Sequence, residues 1–282
     1  MTGDEPPART PSEKRAAVRD RYGAIGASDG AETGSTAAAE DSCCGGSGGE
    51  TSCCGGGESE LTETLGYDPD RAAAVPDGAD LGLGCGNPGA IADLDAGETV
   101  LDLGSGGGFD CFLAAREVGP AGRVIGVDMT PTMIQRARRN ARRDDTDHVE
   151  FRLGEIEHLP VADGTVDVVI SNCVINLSTA KERVFQEVYR VLNPGGRLAI
   201  SDIAMTERGR EELDRTDLEQ YASCVAGAAT VDRLRDMLDR AGFESVTVRP
   251  KEDSETIIDE MYDGEDVTAL LDSVVIRGRK PQ

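Results

Sequence analysis

Thr99-Val-Leu-Asp-Leu-Gly-Ser-Gly-Gly-Gly108 is the stretch of sequence that decides the fold. Its apolar first half predicts a short buried strand, and its glycines allow the backbone to turn tightly into a helix predicted from Phe109. A second apolar run ends at Asp128, 24 residues beyond Gly104. A strand, a glycine-rich turn, a helix and an acidic residue after the next strand are typical of α/β proteins that bind a ribose-bearing ligand at the carboxyl edge of a sheet.

The remaining pattern alternates strands with helices. We predict strands over 99–103, 123–128, 149–153, 166–171 and 197–203, and helices over 109–117, 131–143 and 180–192. Strands that alternate with helices of this length predict a parallel, Rossmann-like α/β sheet with helices on both faces. Downstream we predict a helical element over 208–226, a helix over 231–241 and an antiparallel pair of strands near 243–249 and 273–277.

The first 60 residues differ in composition from the rest. They are rich in Gly, Ser, Ala and acidic residues, so they cannot bury enough apolar surface to offset chain entropy and are predicted to be mostly disordered. The exception is a short helix near 15–26, where Val18, Tyr22 and Ile25 recur at helical spacing. We therefore divide the chain into a tail, 1–60, and one α/β domain, 61–282. The tail carries two cysteine doublets: Cys43, Cys44, Cys53 and Cys54.

Composition restricts the partners and the compartment. The net charge is −24 and the acidic residues are spread along the chain, which disfavours nucleic-acid binding through a basic surface. Four of the 29 basic residues are Lys, a bias that indicates a halophilic source, although a GC-rich genome would also favour Arg. No secretory leader or membrane span is predicted, so we expect a cytoplasmic protein. In that compartment eight cysteines indicate metal binding or catalysis more than structural disulfides.

The glycine-rich turn favours one class of ligand. A dinucleotide-binding turn would need Gly or Ala where this chain has Phe109, and Asp102 just before the turn would repel a pyrophosphate. The same carboxylate suits an amine-bearing ligand, and Asp128 suits a ribose diol. S-adenosylmethionine (SAM), which has a ribose, an amino acid and no phosphate, fits better than NAD. The alternative is a glycine turn that binds no ligand.

Several motifs together resemble the class I SAM-dependent methyltransferases: Asp102 to Gly108, Gly126-Val-Asp128, Leu159-Pro160 before Asp163 and Asp167, and Leu192-Asn-Pro-Gly-Gly196. A narrower resemblance, over about residues 66–245, is to the arsenite methyltransferases. It is carried by cysteine-centred segments that stand far apart in the chain: Asp80-Leu-Gly-Leu-Gly-Cys85-Gly-Asn-Pro88, Gly106 to Leu113, Ser171-Asn-Cys173-Val-Ile-Asn-Leu177 and Tyr221-Ala-Ser-Cys224-Val-Ala-Gly-Ala228.

The resemblance implies a substrate site and a cofactor site. Cys85, Cys173 and Cys224 would hold trivalent arsenic as a three-thiolate complex, and thiolates are the soft ligands that such an ion prefers. SAM would supply the methyl group. The residues implied around SAM are Asp102 and Gly104 at the methionine part, Asp128 at the ribose, Met129, Ile156 and Glu157 at the adenine, and Gly106, Gly108 and Asn172 nearby.

The resemblance also implies a redox partner. One tail cysteine, among Cys43, Cys44, Cys53 and Cys54, would pair with Cys85 as a disulfide after turnover, and thioredoxin or a small thiol would reduce it. The doublets could instead capture arsenite and pass it inward, or be dispensable. The implied partners are therefore arsenite, thiol-conjugated or methylated arsenicals, and a thiol reductant.

Two other functions fit parts of the pattern. A methyltransferase of a quinone or other small molecule would share the SAM motifs but would need neither Cys85 nor Cys224. A thiol-based protein that sequesters arsenic or metal would use the doublets, but would have no need for an intact SAM motif. Taken singly, Cys173 and Cys224 could be core residues. Cys111, among Phe and Leu on a predicted helix, is interpreted as a core thiol.

Overall fold

The computed structural model of the chain describes residues 9–28, 62–144, 146–213, 221–262 and 267–282. The two cysteine doublets of the tail, at 43–44 and 53–54, and the predicted boundary near residue 60 lie outside the described residues. The predictions made for them therefore stay predictions.

The regular elements follow the predicted alternation. The helices are α1 (Pro11–Ala27), α2 (Pro69–Ala73), α3 (Pro88–Ala92), α4 (Phe109–Val118), α5 (Pro131–Asp144), α6 (Lys181–Val191), α7 (Glu207–Glu212), α8 (Val231–Ala241) and α9 (Ser254–Met261). The strands are β1 (Thr99–Leu103), β2 (Arg123–Asp128), β3 (Val149–Leu153), β4 (Val166–Asn172), β5 (Leu192–Met205), β6 (Ala229–Thr230), β7 (Glu244–Pro250) and β8 (Leu271–Arg279).

The strands form one mixed sheet in the order β3-β2-β1-β4-β5-β8-β7, with β6 beside β5. The first five of these strands are parallel, while β8 runs antiparallel to both β5 and β7. The predicted Rossmann-like sheet and its antiparallel C-terminal pair are confirmed. Because the chain order reverses between β1 and β4, the carboxyl ends of these two strands flank the crevice where such sheets bind ligands.

Helices cover both faces of the sheet, as predicted. Leu101 and Leu103 belong to a core cluster that also contains Phe185 of α6 and Leu234 of α8. Val100, which precedes Leu101, belongs to the opposite cluster together with Phe112 of α4 and Ile134 of α5. Successive residues of β1 thus point to opposite faces, as strand geometry requires, and bury the strand on both. The glycine turn that follows is held between two packed layers.

The C-terminal half differs from the prediction in two places. Over 208–226, where we predicted one helical element, the described residues form α7, a helical end at Tyr221 and Ala222, and then turns, and 214–220 lie outside the described residues. Cys224 has a φ of 73° and is therefore not helical. Strand β5 begins earlier than predicted, because Leu192 already pairs with Val166 and a bulge absorbs the residues up to Arg197. The prediction also missed α2, α3 and α9.

Helix α1 packs on the domain although most of the surrounding tail was predicted to be disordered. Thr10 and Glu13 form a reciprocal capping box at its start, which satisfies backbone donors that a helix otherwise leaves free. Val18 is 1% exposed, and Gly26 lies so close to α5 that an added Cβ would sit 2.9 Å from Thr132 Oγ1. Arg136 of α5 donates to the Ser28 carbonyl oxygen at 2.7 Å. The predicted helix near 15–26 is confirmed, with longer bounds.

Within the described residues, no helix combines the length and the apolar character that crossing a membrane requires.

We predict that Val18→Asp detaches α1 and leaves the sheet folded. The substitution places an unpaired carboxylate in a buried apolar site. The free-energy cost of burying that charge exceeds the free energy that docking of a single helix contributes. Trypsin should then cleave at Arg15 and Arg19 several-fold faster, whereas the far-UV spectrum of the remaining domain stays unchanged. Ala16→Asp, at an exposed position of the same helix, is the matched control. Equal cleavage rates in the two variants would contradict the docking of α1.

Candidate functional site

A cavity opens where β1 and β4 end, and α1 forms part of its wall. Its floor is the glycine-rich turn after β1, and the segment that follows β4 forms the opposite side. The residues predicted around SAM that line it are Asp102, Gly104, Gly106, Asp128, Met129, Ile156, Glu157 and Asn172, joined by Cys173. Gly108 does not line the cavity. It caps α4 with a φ of 97°, and an added Cβ there would collide with Phe112 and Phe151.

Asp128 fixes the shape of the glycine turn. Its carboxylate accepts hydrogen bonds from the backbone N–H groups of Gly106 at 3.1 Å and Thr130 at 2.8 Å. The N–H groups of Gly104 and Ser105 donate to the Val127 carbonyl oxygen at 2.7 and 3.0 Å. Burial raises the pKa of Asp128, and these backbone donors oppose that rise. The turn is therefore anchored to the end of β2 and is preorganised for a ligand.

A second group of polar side chains lies beside Asp102. The Asn172 Nδ2 donates to Asp110 Oδ2 at 3.3 Å, and the Tyr67 hydroxyl lies 2.8 Å from Asp110 Oδ1. Removal from water raises the pKa of Asp110 to about 6, while its hydrogen bonds to Tyr67 and Asn172 pull it down. Burial and the neighbouring Asp110 also raise the pKa of Asp102. Two buried carboxylates, one of which raises the pKa of the other through charge repulsion, favour a cation nearby.

These features fit SAM. The Ser105 Oγ is buried and has no hydrogen-bond partner among the described residues, so it offers a free polar group at the cavity wall. An added Cβ at Gly106 would meet nothing within 4 Å. Asp102 and Asp110 suit the amino group of the methionine part, and Asp128 suits the ribose. Met129 and Ile156 supply apolar surface for a base.

The three cysteines predicted to bind arsenic lie together at one end of this cavity. Cys85, Cys173 and Cys224 belong to a single buried cluster and are 0%, 5% and 4% exposed. Cys85 and Cys173 are joined by a disulfide with their Cα atoms 5.9 Å apart. The Cys224 Sγ donates to the Cys173 carbonyl oxygen at 3.1 Å. Of the three, Cys173 lines the cavity itself.

Two of these three cysteines have backbone in the left-handed region. Cys173 has a φ of 55° and Cys224 a φ of 73°, a region that side chains other than glycine seldom adopt. Such residues cost on the order of 1–3 kcal/mol each and persist where the surrounding structure imposes them. At Cys173 the sharp turn directly after β4 is held by its N–H, which donates to the Ser201 carbonyl oxygen at 2.9 Å. Two of the four described non-glycine residues with a positive φ are thus thiol-bearing residues of this cluster.

The surroundings of Cys224 oppose a negative charge on sulfur. Burial and the nearby Asp202 carboxylate raise the pKa of this thiol. Asp202 is itself buried and accepts from the N–H groups of Ile175 at 2.9 Å and Ile203 at 2.7 Å. A free thiolate is therefore unfavourable here, and the third sulfur is held as a neutral S–H.

The observed disulfide differs from the implied pairing of Cys85 with a tail cysteine. In the described residues Cys85 bonds to Cys173, since the folded core brings their Cα atoms within bridging distance. In this oxidised state no group of three or more His, Cys, Asp or Glu side chains among the described residues could hold a metal ion. Cys85 and Cys173 would be available as free thiols beside Cys224 only after this bond is reduced.

Sequence reasoning missed several residues of the site. Tyr67, Asp80, Ser105 and Asp110 line the cavity, yet none was named as a ligand-binding residue. Asp110 lies in the segment Gly106 to Leu113, at the start of the helix that follows the glycine turn. A carboxylate at this position is the sequence signal that could have identified it as a residue of the cavity. Cys111, interpreted as a core thiol, is fully buried, and its Sγ also donates to Asp102 Oδ2 at 3.3 Å.

Known proteins share this architecture. Residues 94–242 match a family described as a methyltransferase domain. An arsenite methyltransferase of Halobacterium salinarum is 53% identical over 97% of this chain and 68% of its own length. One of Aquipseudomonas alcaligenes is 45% identical over 57% of this chain and 47% of its own length, so this chain spans less than half of that relative. The crystal structure of CrArsM, an arsenic(III) SAM methyltransferase of Chlamydomonas reinhardtii, superimposes with a TM-score of 0.57 at 31% identity, covering 79% of this chain and 73% of CrArsM.

We predict that SAM binds more weakly as the pH falls through about 6. The pKa of Asp110 is about 6 in the cofactor-free protein, so the carboxylate that would face the amino group is protonated below that value. Titration calorimetry at pH 7.5 and pH 5 should show a loss of roughly three- to tenfold in affinity.

Asp110→Asn is the matched variant for this prediction. It should bind SAM more weakly at pH 7.5 and show a smaller change between the two pH values, because the titrating group is gone. Glu252→Gln, a substitution on the exposed surface, controls for net charge. A pH dependence that persists unchanged in Asp110→Asn would assign it to another group.

Proposed function

The chain belongs to the arsenite methyltransferase family of class I SAM-dependent methyltransferases, and we propose on that premise that it transfers methyl groups from SAM to trivalent arsenic. The arsenic is held by the thiolates of Cys85, Cys173 and Cys224. The products are monomethylated and then dimethylated arsenicals, and the activity serves arsenic detoxification.

One observation carries the proposal. Three cysteines from segments that are far apart in the chain form one buried cluster beside the cofactor cavity. A packing role for single thiols gives no reason for this convergence. Three soft sulfur ligands match the coordination of a trivalent, thiophilic centre. The substrate site and the cofactor site therefore meet at Cys173.

The residues act mainly by positioning. SAM supplies an electrophilic methyl group on a sulfonium centre. Arsenic bound by three thiolates keeps a lone pair, and the cluster at the end of the cavity orients that lone pair toward the cofactor. No proton has to leave the nucleophile during transfer, so the site needs no general base. The site then lowers the activation free energy by holding the two reactants in line, because their translational and rotational entropy has already been lost on binding.

The disulfide makes the cycle depend on a reductant. Two electrons and two protons must reach Cys85 and Cys173 before three thiols are available for arsenic. We propose that thioredoxin or a small thiol supplies them. Each arsenic–sulfur bond then forms as an oxygen ligand of arsenite leaves as water with the thiol proton, so that no net charge enters the site.

The composition of the chain and its relatives support a proposal about the salt concentration and the compartment in which the enzyme works. The net charge of −24 and the scarcity of Lys support function in concentrated salt, and the relative from Halobacterium salinarum agrees. We propose a cytoplasmic location, where thiol reductants are present. A role without nucleic-acid or membrane partners agrees with the acidic charge.

The site argues against the two other functions. A quinone methyltransferase would be expected to line its substrate space with apolar side chains, whereas this cavity ends at sulfur. A sequestering protein would have no use for a preorganised glycine turn and a carboxylate that anchors it.

We predict that reduced protein converts arsenite and SAM into methylated arsenic, detected by mass spectrometry in concentrated KCl. Cys85→Ser, Cys173→Ser and Cys224→Ser should each lower the rate at least 100-fold, because a hydroxyl is a poor ligand for arsenic(III). Their affinity for SAM should stay within about twofold of the wild-type value. Cys111→Ser, which keeps a donor beside Asp102, is the matched control and should remain active.

The outcomes separate the candidate functions. A wild-type protein that binds SAM and arsenite but forms no methylated arsenic would support sequestration. Methylation of a quinone, with full activity in Cys85→Ser and Cys224→Ser, would support the small-molecule alternative. Replacing the four tail cysteines by serine tests whether thioredoxin-dependent turnover needs the doublets.

A further inference from the structure

The carbonyl oxygen of Cys85 has more hydrogen-bond donors than it can accept. The Lys251 Nζ donates to it at 2.7 Å, the Ser273 Oγ at 3.0 Å and the Ser201 Oγ at 3.1 Å. A carbonyl oxygen offers two lone pairs, so one of the three donors is in excess. These three side chains, which we call the Cys85 cradle, come from β5, from β8 and from the residue after β7.

Ser201 is the donor that has a second acceptor nearby. Its Oγ lies 3.7 Å from the Cys85 Sγ, which carries no hydrogen in the disulfide, so within this contact Ser201 alone could act as a donor. The Lys251 Nζ also donates to the Ser201 Oγ at 2.8 Å. That bond occupies a lone pair of the serine and directs its single hydrogen away from Lys251, toward Cys85.

The cradle is tightly built around a residue without a side chain. An added Cβ at Gly86 would collide with both the Lys251 Nζ and the Ser201 Oγ. Ser201 and Ser273 are 0% exposed, and burial lowers the pKa of Lys251 to about 8. The ammonium is thus inserted into the protein at a specific place, under the loop that carries Cys85.

We propose that Ser201 is a positioning residue whose hydroxyl hydrogen-bonds to the Cys85 sulfur whenever that sulfur is free or bound to arsenic, and that Lys251 orients the hydroxyl for this bond. The part of this proposal that concerns arsenic-bound sulfur rests on the proposed function, whereas the part that concerns the free sulfur does not. Lys251 and Ser273 keep the carbonyl oxygen satisfied while Ser201 turns. A sulfur that carries negative charge accepts such a bond more strongly than a disulfide sulfur does.

The consequence is a bias toward the reduced, arsenic-binding state. A hydrogen bond that forms with the thiol or the thiolate, and only weakly with the disulfide, stabilises the reduced protein. The net contribution of one such bond corresponds to roughly a three- to tenfold change in an equilibrium constant. Removing the Ser201 hydroxyl should therefore favour the disulfide and weaken arsenite binding together.

The first experiment needs no arsenic. Full-length protein with its four tail cysteines replaced by serine is equilibrated with reduced and oxidised dithiothreitol, which exchange two electrons and two protons with the Cys85–Cys173 disulfide. Mass spectrometry after acid quench and alkylation gives the reduced fraction. Ser201→Ala should shift the equilibrium constant toward the disulfide roughly three- to tenfold.

Ser273→Ala is the matched control, because it removes a buried serine that donates to the same carbonyl oxygen. The charged Lys251 still holds that oxygen, so Ser201 stays free to turn, and the equilibrium constant should change less than twofold. Equal shifts in Ser201→Ala and Ser273→Ala would show that both serines merely hold the loop. No shift in Ser201→Ala would also overturn the proposal.

The second experiment measures arsenite. The dissociation constant and the KM of arsenite should rise by the same factor in Ser201→Ala, and the ultraviolet band of the arsenic–thiolate complex should shift, while kcat and SAM affinity stay within about twofold. An unchanged band would contradict a bond to sulfur. If wild-type protein fails to methylate arsenite, the proposed function fails, and the dithiothreitol equilibrium still tests the serine.

Lys251→Met covers the case in which Ser201→Ala does not fold, as judged by lost SAM binding. It leaves the serine in place but removes the charged donor from the Cys85 carbonyl oxygen and from the Ser201 Oγ. Both serines are then drawn to the carbonyl oxygen, so the dithiothreitol equilibrium should shift in the same direction. An equilibrium identical to that of the wild type would overturn the orienting role of Lys251.

Discussion

The carboxamide of Asn172 joins the cofactor cavity to the thiol cluster. Its oxygen accepts from the Cys85 N–H at 2.9 Å, and its nitrogen donates to the Gly86 carbonyl oxygen at 2.7 Å and to Asp110 at 3.3 Å. The neighbouring residue in the chain is Cys173. One side chain at the end of β4 therefore sets where the loop of Cys85 lies relative to both the second thiol and the acidic groups of the cavity. In the proposed function, the separation between the methyl donor and the arsenic would depend on this link.

Charge gives a physical reason why the proposed thiol site would favour a trivalent centre. Burial and Asp202 raise the pKa of Cys224, so separate thiolates are unfavourable there. Three thiolates around a centre of charge +3 sum to zero, and the complex forms from neutral thiols and neutral arsenite with release of water. A divalent ion bound by the same three sulfurs would leave a net negative charge in a buried place, which is costly. In the proposed arsenic site, burial and the Asp202 carboxylate would therefore favour a neutral three-thiolate complex over a charged one.

The sequence was most informative where structure is local. The glycine turn after β1, the strand that ends before Cys173 and the helix around Val18 could all be predicted, because their patterns depend on neighbouring residues. The left-handed backbone of Cys224 and the bond between Cys85 and Cys173 could not, because they result from packing between distant segments. The same holds for the cavity role of Tyr67 and for the cradle under Cys85, whose Lys251 lies 166 residues further along the chain. Family resemblance identified the three cysteines together, but not how the fold holds them.

The C-terminal strands explain why the thiol site extends beyond the parallel sheet. Strand β8 pairs with β5 along its whole length, from Arg197 opposite Arg279 to Met205 opposite Leu271, and this places Ser273 beside the carbonyl oxygen of Cys85. Pairing of β7 with β8 brings Lys251 to the same oxygen. A parallel sheet that ended at β5 would leave the Cys85 loop open to water on that side. The antiparallel pair therefore closes the sheet edge and supplies the second wall of the thiol site, so cofactor binding and thiol positioning are divided between the two halves of one sheet.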